Sequence, residues 1–118
     1  MKEELKIKDV MVGDWVDVRN DAAPNTPHLE RITPSHFLRD EHWYGVELVS
    51  EILEKNGFTK ELDADGLHYC FTLIDGHTKF SILYARSVFQ WFSPLDFKYV
   101  HELQHALKLC GIEKEIEL

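Results

Sequence analysis

Apolar side chains alternate with acids and other polar groups in Trp15-Val16-Asp17-Val18, the period-two pattern of a strand with one covered face. With the Gly13-Asp14 turn ahead of it, the stretch 5–18 predicts an N-terminal β segment, half-exposed to solvent. GDWV followed by a polar loop resembles the opening strand of SH3-like barrels. Residues 20–28, NDAAPNTPH, hold two prolines, two asparagines and no apolar run, which is the composition of a loop. From 29 to 46 neither period dominates. LERI has strand character, Pro34 interrupts it, and SHFLRDEHWYG stays unassigned.

The period changes at LVSEILEKNGF. Leu48, Ile52 and Leu53 share one side, Ser50 stands where a cap belongs and Asn56-Gly57 supply a stop, so a short helix is expected over 49–56. Beyond the turn-forming DADG, the runs LHYCFTLI and KFSILY flank Asp75-Gly76, a strong hairpin signal. SVFQWF adds a third strand, giving an antiparallel meander over 67–92. SPLDFKYVHELQHALKLCG predicts the longest helix, entered near Ser93-Pro94 and ended by Gly111. The closing IEKEIEL alternates again and reads as an edge strand whose lysine and glutamates discourage further pairing. The expected architecture is a single α+β domain over 1–118: an antiparallel meander, a long C-terminal helix and an SH3-like or barrel-like N-terminal β segment.

Composition narrows the function classes. At 118 residues, with 44% hydrophobic and 29% charged side chains, the chain can bury one core and lies far from disordered compositions. The net charge of −8 comes from 21 acidic and 13 basic residues. The basic residues are dispersed, which disfavours nucleic acid and anionic membranes as partners. No apolar run approaches the roughly 20 residues of a membrane-spanning helix. MKEELKIKDV lacks the apolar core of a signal peptide, so a cytoplasmic location is expected. Cys70 and Cys110 then read as ordinary buried thiols, with a disulfide or a reactive nucleophile as the alternative.

Candidate chemistry centres on residues 101–105, HELQH. HExxH on a helix places two histidines four apart, within reach of one zinc ion, with the glutamate as base. On a helical projection Val100, Leu103, Leu107 and Cys110 form the apolar stripe, and His101, His105 and Lys108 lie opposite it. A catalytic zinc needs a third protein ligand. The longer signature HExxHxxGxxH is not met, because Lys108 and Gly111 stand where its glycine and last histidine belong. Only 118 − 105 = 13 residues follow His105. Glu113, Glu115 or Glu117 would need an unusual turn to reach back, and His28, His36, His42, His68 or His77 could join only through tertiary contact. The expectation is therefore no catalytic, cofactor-binding or metal-binding residues and no cofactor. The alternative is a zinc-dependent hydrolase with His101 and His105 as ligands and Glu102 as base.

Aromatic residues make up 12% of the chain. Trp43, Tyr44, Trp91, Phe92, Phe97 and Tyr99 either pack the core or line a recognition groove. No glycine-rich phosphate loop, Gly-x-Ser-x-Gly elbow or Cys-x-x-Cys pair occurs.

MVGDWV, SEILEKNGF and YVHELQHALKLCGIEKEIEL, in that order and at those separations, resemble a family of small uncharacterised proteins encoded in Bacteroidales genomes and in their phage-like and conjugative elements. The likeness spans both ends and the centre of the chain. In that family Pro-Leu-Thr usually precedes Glu-Ile-Leu-Glu-Lys-Asn-Gly-Phe, where this chain has Leu48-Val49-Ser50. The closing block commonly reads Tyr-Val-His-Gln-Leu-Gln-Asn, so Glu102 and His105 depart from it. The resemblance carries over His101, Leu103 and Gln104 as a structural helix signature and nothing catalytic. Together with the incomplete zinc site, the acidic balance and the aromatic content, it leads us to expect a non-catalytic cytoplasmic module of a mobile-element or phage-related system. The partner expected is another protein, with neither nucleic acid nor membrane involved.

Overall fold

A computed structural model describes residues 4–19, 28–38, 41–85, 88–92 and 95–118. The loop expected over 20–28 falls outside these residues except for His28, as does the helix entry at Ser93-Pro94. The chain divides into two compact units. One comprises Met1–Glu47 with Tyr99–His101, the other Leu48–Lys98 with Glu102–Leu118.

The first unit contains β1 (Glu4–Leu5), β2 (Trp15–Arg19), β3 (Leu29–Arg31) and β4 (His42–Gly45). They form an antiparallel sheet in the order β1-β4-β2-β3. Among the described residues the N-terminal β segment is thus an open sheet with β1 and β3 at its edges, without the barrel-like closure expected of it. Residues 29–46, which show no clean period, resolve into β3, a 3₁₀ turn over Pro34–Leu38 and β4. Val10, Val16, Val18, Ile32 and Trp43 make the core, with Leu5 and Phe37 packed on its margin. Phe37 meets the Trp43 ring edge-on, 5.7 Å between centroids.

β2 differs from the half-exposed strand expected of it, because Val16, Asp17 and Val18 are all buried. The acid at Asp17 is satisfied locally. Arg19 donates to it through Nε (3.0 Å) and a second guanidinium nitrogen (2.8 Å), and the His28 amide donates at 3.1 Å. A carboxylate with that donor set can be buried without being left unpaired. The hydrogen bonds to Asp17, and its negative charge, raise the Arg19 guanidinium above its ordinary pKa.

The second unit holds a five-stranded antiparallel sheet, β5 (Thr59–Leu62), β6 (Tyr69–Asp75), β7 (Thr78–Ala85), β8 (Val88–Phe92) and β9 (Leu95–Phe97), in sequential order. The meander is as expected, with one strand more on each side. Asp75 pairs with Thr78 across a two-residue turn in which Gly76 takes φ +60°, a backbone conformation that glycine adopts without steric cost. Phe71 and Leu73 on β6, Phe80 and Ile82 on β7, Phe89 on β8 and Phe97 on β9 are buried, which defines the core face of the sheet.

Two helices belong with this sheet: α1 (Ser50–Lys55) and α2 (Val100–Leu109), whose first two residues lie in the other unit. α1 matches the expected helix in place. Its N-cap is Val49, however, with no side-chain cap, so Ser50 is the first helical residue and does not cap. α2 starts later than Ser93-Pro94 suggested, because residues 95–97 are drawn into β9. Both helices end in the same way. Gly57 donates to Glu54 O and Phe58 to Leu53 O; Gly111 donates to Lys108 O and Ile112 to Leu107 O. With Gly57 at φ +90° and Gly111 at φ +74°, these are paired Schellman terminations, and the residue after each glycine, Phe58 or Ile112, is buried.

The closing segment is not the edge strand that its alternation suggests, since residues 112–118 join no sheet. Ile112 is buried by the helix termination and Ile116 is buried four residues further on. A strand would place Lys114 on the same side as both, yet Lys114 is exposed.

Candidate functional site

Two of the three signature residues of HELQH, His101 and Glu102, have defined partners in the structure. β4 ends at Gly45, and the Tyr99 ring lies against the backbone there: a Cβ on Gly45 would stand 2.4 Å from the ring carbons. Tyr99 in turn stacks on His101, with 5.7 Å between ring centroids and 13° between planes. His101 is buried, at 5% exposure. This overturns the expectation that His101 lies opposite the core, because the first turn of α2 is covered on the side that the apolar stripe left open. His105 is half-buried and only Lys108 of the three is exposed. Cys110, placed on the apolar stripe, is half-buried, as is Cys70, and both thiols are free.

Glu102 accepts the Lys98 amide at 2.9 Å. Lys98 precedes the helix, so the carboxylate closes a donor just ahead of the first turn, as the glutamate of a capping box does. His101, Leu103, Ala106 and Leu107 are buried. HELQH is therefore engaged in ring stacking, helix initiation and core packing.

A different stretch brings ligand atoms together. In the β5–β6 turn, Asp63 donates its amide to His68 O (2.7 Å) and Gly66 donates to Asp63 O (2.9 Å). Inside that loop Asp65 Oδ1 accepts the amides of Leu67 (2.8 Å) and His68 (3.2 Å), and the His68 ring Nδ1 lies 2.5 Å from Asp65 Oδ2. These bonds, that from Leu67 first and the His68 ring next, hold the Asp65 carboxyl below its ordinary pKa. Asp63, Asp65 and His68 place one ligand atom each within 4.8 Å of one another, and among the described residues they form the group of metal-ligating side chains that meets this spacing. Two carboxylates and an imidazole suit a hard or borderline divalent cation. Asp65 is exposed, and three side-chain ligands would leave the rest of any coordination sphere to water: one position of a four-coordinate ion, three of a six-coordinate one. Sequence reasoning passed over this group and read DADG as a turn alone. The available signal was Asp-x-Asp-Gly-x-His, six residues that can converge only if the turn closes.

The remaining histidines are dispersed. His36 is buried, its Nδ1 accepts the Thr33 amide at 2.9 Å, and its Nε2 lies 3.6 Å from Glu30, whose other oxygen is 3.3 Å from the exposed His28 ring. With Nδ1 occupied by a backbone donor, His36 offers no free base nitrogen. His42 pairs with Glu4 on the neighbouring strand. Of the aromatic set, Trp43 and Phe97 are core residues and Tyr44 and Tyr99 are half-buried. The side chains of Trp91 and Phe92 lie outside the described residues.

Exposed apolar residues collect near the outer end of the second sheet. Among the described residues β5 pairs with β6 alone, and all four of its residues are exposed. Leu62, at 59% exposure, is paired in register with Tyr69, at 41%, and Leu67 in the connecting turn reaches 80%. Lys60 folds over the Tyr69 ring, 4.4 Å from its centroid.

No protein-family model matches the chain, and neither does any curated protein or solved structure. Among the described residues no helix is long and apolar enough to cross a membrane.

Proposed function

We propose that this chain is a non-catalytic protein-interaction module that acts in the cytoplasm as part of a mobile-element or phage-related system. The observation that carries the interaction role is the open β5 edge with Leu62 and Leu67 exposed beside it. An unpaired edge offers a row of backbone donors and acceptors to an extended partner segment, and neighbouring apolar side chains give such a segment something to bury. The setting in mobile elements is supported by the sequence resemblance alone. The acidic balance argues for a protein partner in preference to nucleic acid.

The test is affinity capture from the native host with the wild-type chain and with a Leu62→Glu, Leu67→Glu variant, followed by reconstitution of the captured pair from purified components. A partner that binds the wild type directly and is lost with the variant is the result expected. A partner that binds both alike, or no partner at all, would count against the edge as the binding surface.

The competing reading, a zinc-dependent hydrolase with His101 and His105 as ligands and Glu102 as base, asks more of the structure. His101 would have to leave the Tyr99 stack and Glu102 would have to release the Lys98 amide. Metal content of the purified protein separates the two.

A further inference from the structure

The closing segment is held in an unusual way. Glu117 donates its amide to Asn56 Oδ1 at 2.7 Å and accepts from Asn56 Nδ2 at 2.7 Å, while the same Nδ2 donates to Ile52 O at 2.7 Å. Asn56 is buried, at 4% exposure. One side-chain amide thereby reproduces the two-point exchange by which a strand pairs with its neighbour, and the bond to Ile52 fixes the amide's orientation. Lys55 Nζ adds a bond to Leu118 O. Next to the clamp, Ile116 is fully buried, whereas Glu113, Lys114, Glu115 and Glu117 are exposed.

This is a recognition geometry for extended chain. The clamp reads backbone, so the residue it holds is free to vary; the apolar requirement falls on the residue before it. Ile112 is anchored separately by the α2 termination. The segment 113–118 follows through three exposed residues, 113–115, that belong to no helix or strand.

We propose that Asn56 and the Ile116 pocket form a binding site for an extended segment with an aliphatic residue one position before the clamped residue. Residues 113–118 fill it in cis, and the same segment of a second copy fills it in trans. The second copy is the occupant because its segment already satisfies both the pocket and the clamp, and exchange leaves every contact intact. The cis arrangement is favoured by an effective concentration of order millimolar for a short tether, so exchange becomes visible when the cis contact is disabled.

The test uses two variants of this chain. Ile116→Asp keeps the clamp but cannot fill its own pocket; Asn56→Asp keeps the segment but loses the amide donors. Each alone should sediment as a monomer, and an equimolar, millimolar mixture should give a dimer. With the Ile116→Asp chain isotope-labelled at asparagine, the Asn56 side-chain amide resonances should return toward their wild-type positions on mixing. The synthetic peptide Glu-Lys-Glu-Ile-Glu-Leu should produce the same movement, and the peptide carrying Ile116→Asp should not; this arm stands even if Asn56→Asp fails to fold. Ile116→Ala replaces Ile116→Asp if the charged variant unfolds. Unmoved Asn56 resonances on a folded chain at millimolar peptide, or equal movement with both peptides, would overturn the proposal.

Discussion

Residues 101–105 and residues 63–68 both carry metal-ligand side chains, and the fold treats them in opposite ways. HELQH has the spacing of a zinc helix, yet His101 is buried against Tyr99 and Glu102 holds the Lys98 amide. Asp63, Asp65 and His68 match no familiar signature, yet their ligand atoms converge within 4.8 Å at a turn. A helical spacing states which side chains could meet on one face. Whether they are free to do so depends on what the rest of the chain packs against that face, and a motif match carries no information on that point.

The largest effect is expected at the glycine beneath the stack. Gly45→Ala puts a methyl group where the Tyr99 ring lies, and overpacking of that kind costs about 3 kcal/mol. Urea unfolding measures it; a loss within experimental error would mean that the ring moves aside freely and that His101 is only loosely held.

His101→Ala removes a buried ring and should cost about 2 kcal/mol, whereas a histidine on a solvated helix face would cost close to nothing. The same denaturation experiment decides between them, and an unchanged midpoint would restore the solvent-facing placement.

Glu102 separates a structural from a catalytic role more sharply. Glu102→Ala deletes the acceptor for the Lys98 amide and should cost about 1 kcal/mol, in the range of a lost helix cap. Glu102→Gln keeps an acceptor oxygen and should be nearly neutral. Equal losses in the two variants would show that the charge of the carboxylate matters and not its hydrogen bond.

The smallest effect concerns the other stretch. Asp65 has its pKa depressed in the folded chain, so its contribution to the turn is present above the unfolded value and is lost as pH falls through the folded one. The Leu67 and His68 amide resonances should therefore titrate together with a midpoint below the ordinary aspartate value of about 3.9, and Asp65→Asn should abolish the titration. A midpoint at or above the ordinary value would mean that the loop hydrogen bonds do not persist in solution. Because Asp65 is exposed, the change in global stability should be slight.

What could be read from the chain beforehand follows the same division. Local signals with a backbone cause held up: Asn56-Gly57 and Gly111 end helices because glycine takes a positive φ there, and Asp75-Gly76 closes the β6–β7 hairpin. The long alternating runs of β6 and β7 were visible because the middle of one face of each is buried, at Phe71 and Leu73 and at Phe80 and Ile82. Alternation misled where it was short. In 112–118 the burial of Ile112 and Ile116 arises from a helix termination and a side-chain clamp, neither of which leaves a period in the sequence. Asp17 looked solvent-facing because nothing in WVDV announces Arg19 and the His28 amide as its partners. The apolar stripe of α2 was found, but Tyr99 over His101 depends on Gly45, more than fifty residues away in sequence. The Asp63, Asp65 and His68 group was overlooked for a related reason, since a turn's closure decides whether its ligand atoms meet.

Metal content, determined by elemental mass spectrometry on protein purified without a histidine tag, tests the central claim most directly when the wild type is set beside a Glu102→Gln, His105→Asn variant. The account predicts no stoichiometric zinc that depends on these two residues. One zinc per chain in the wild type, lost in a folded variant, would contradict it and make HELQH a metal centre after all.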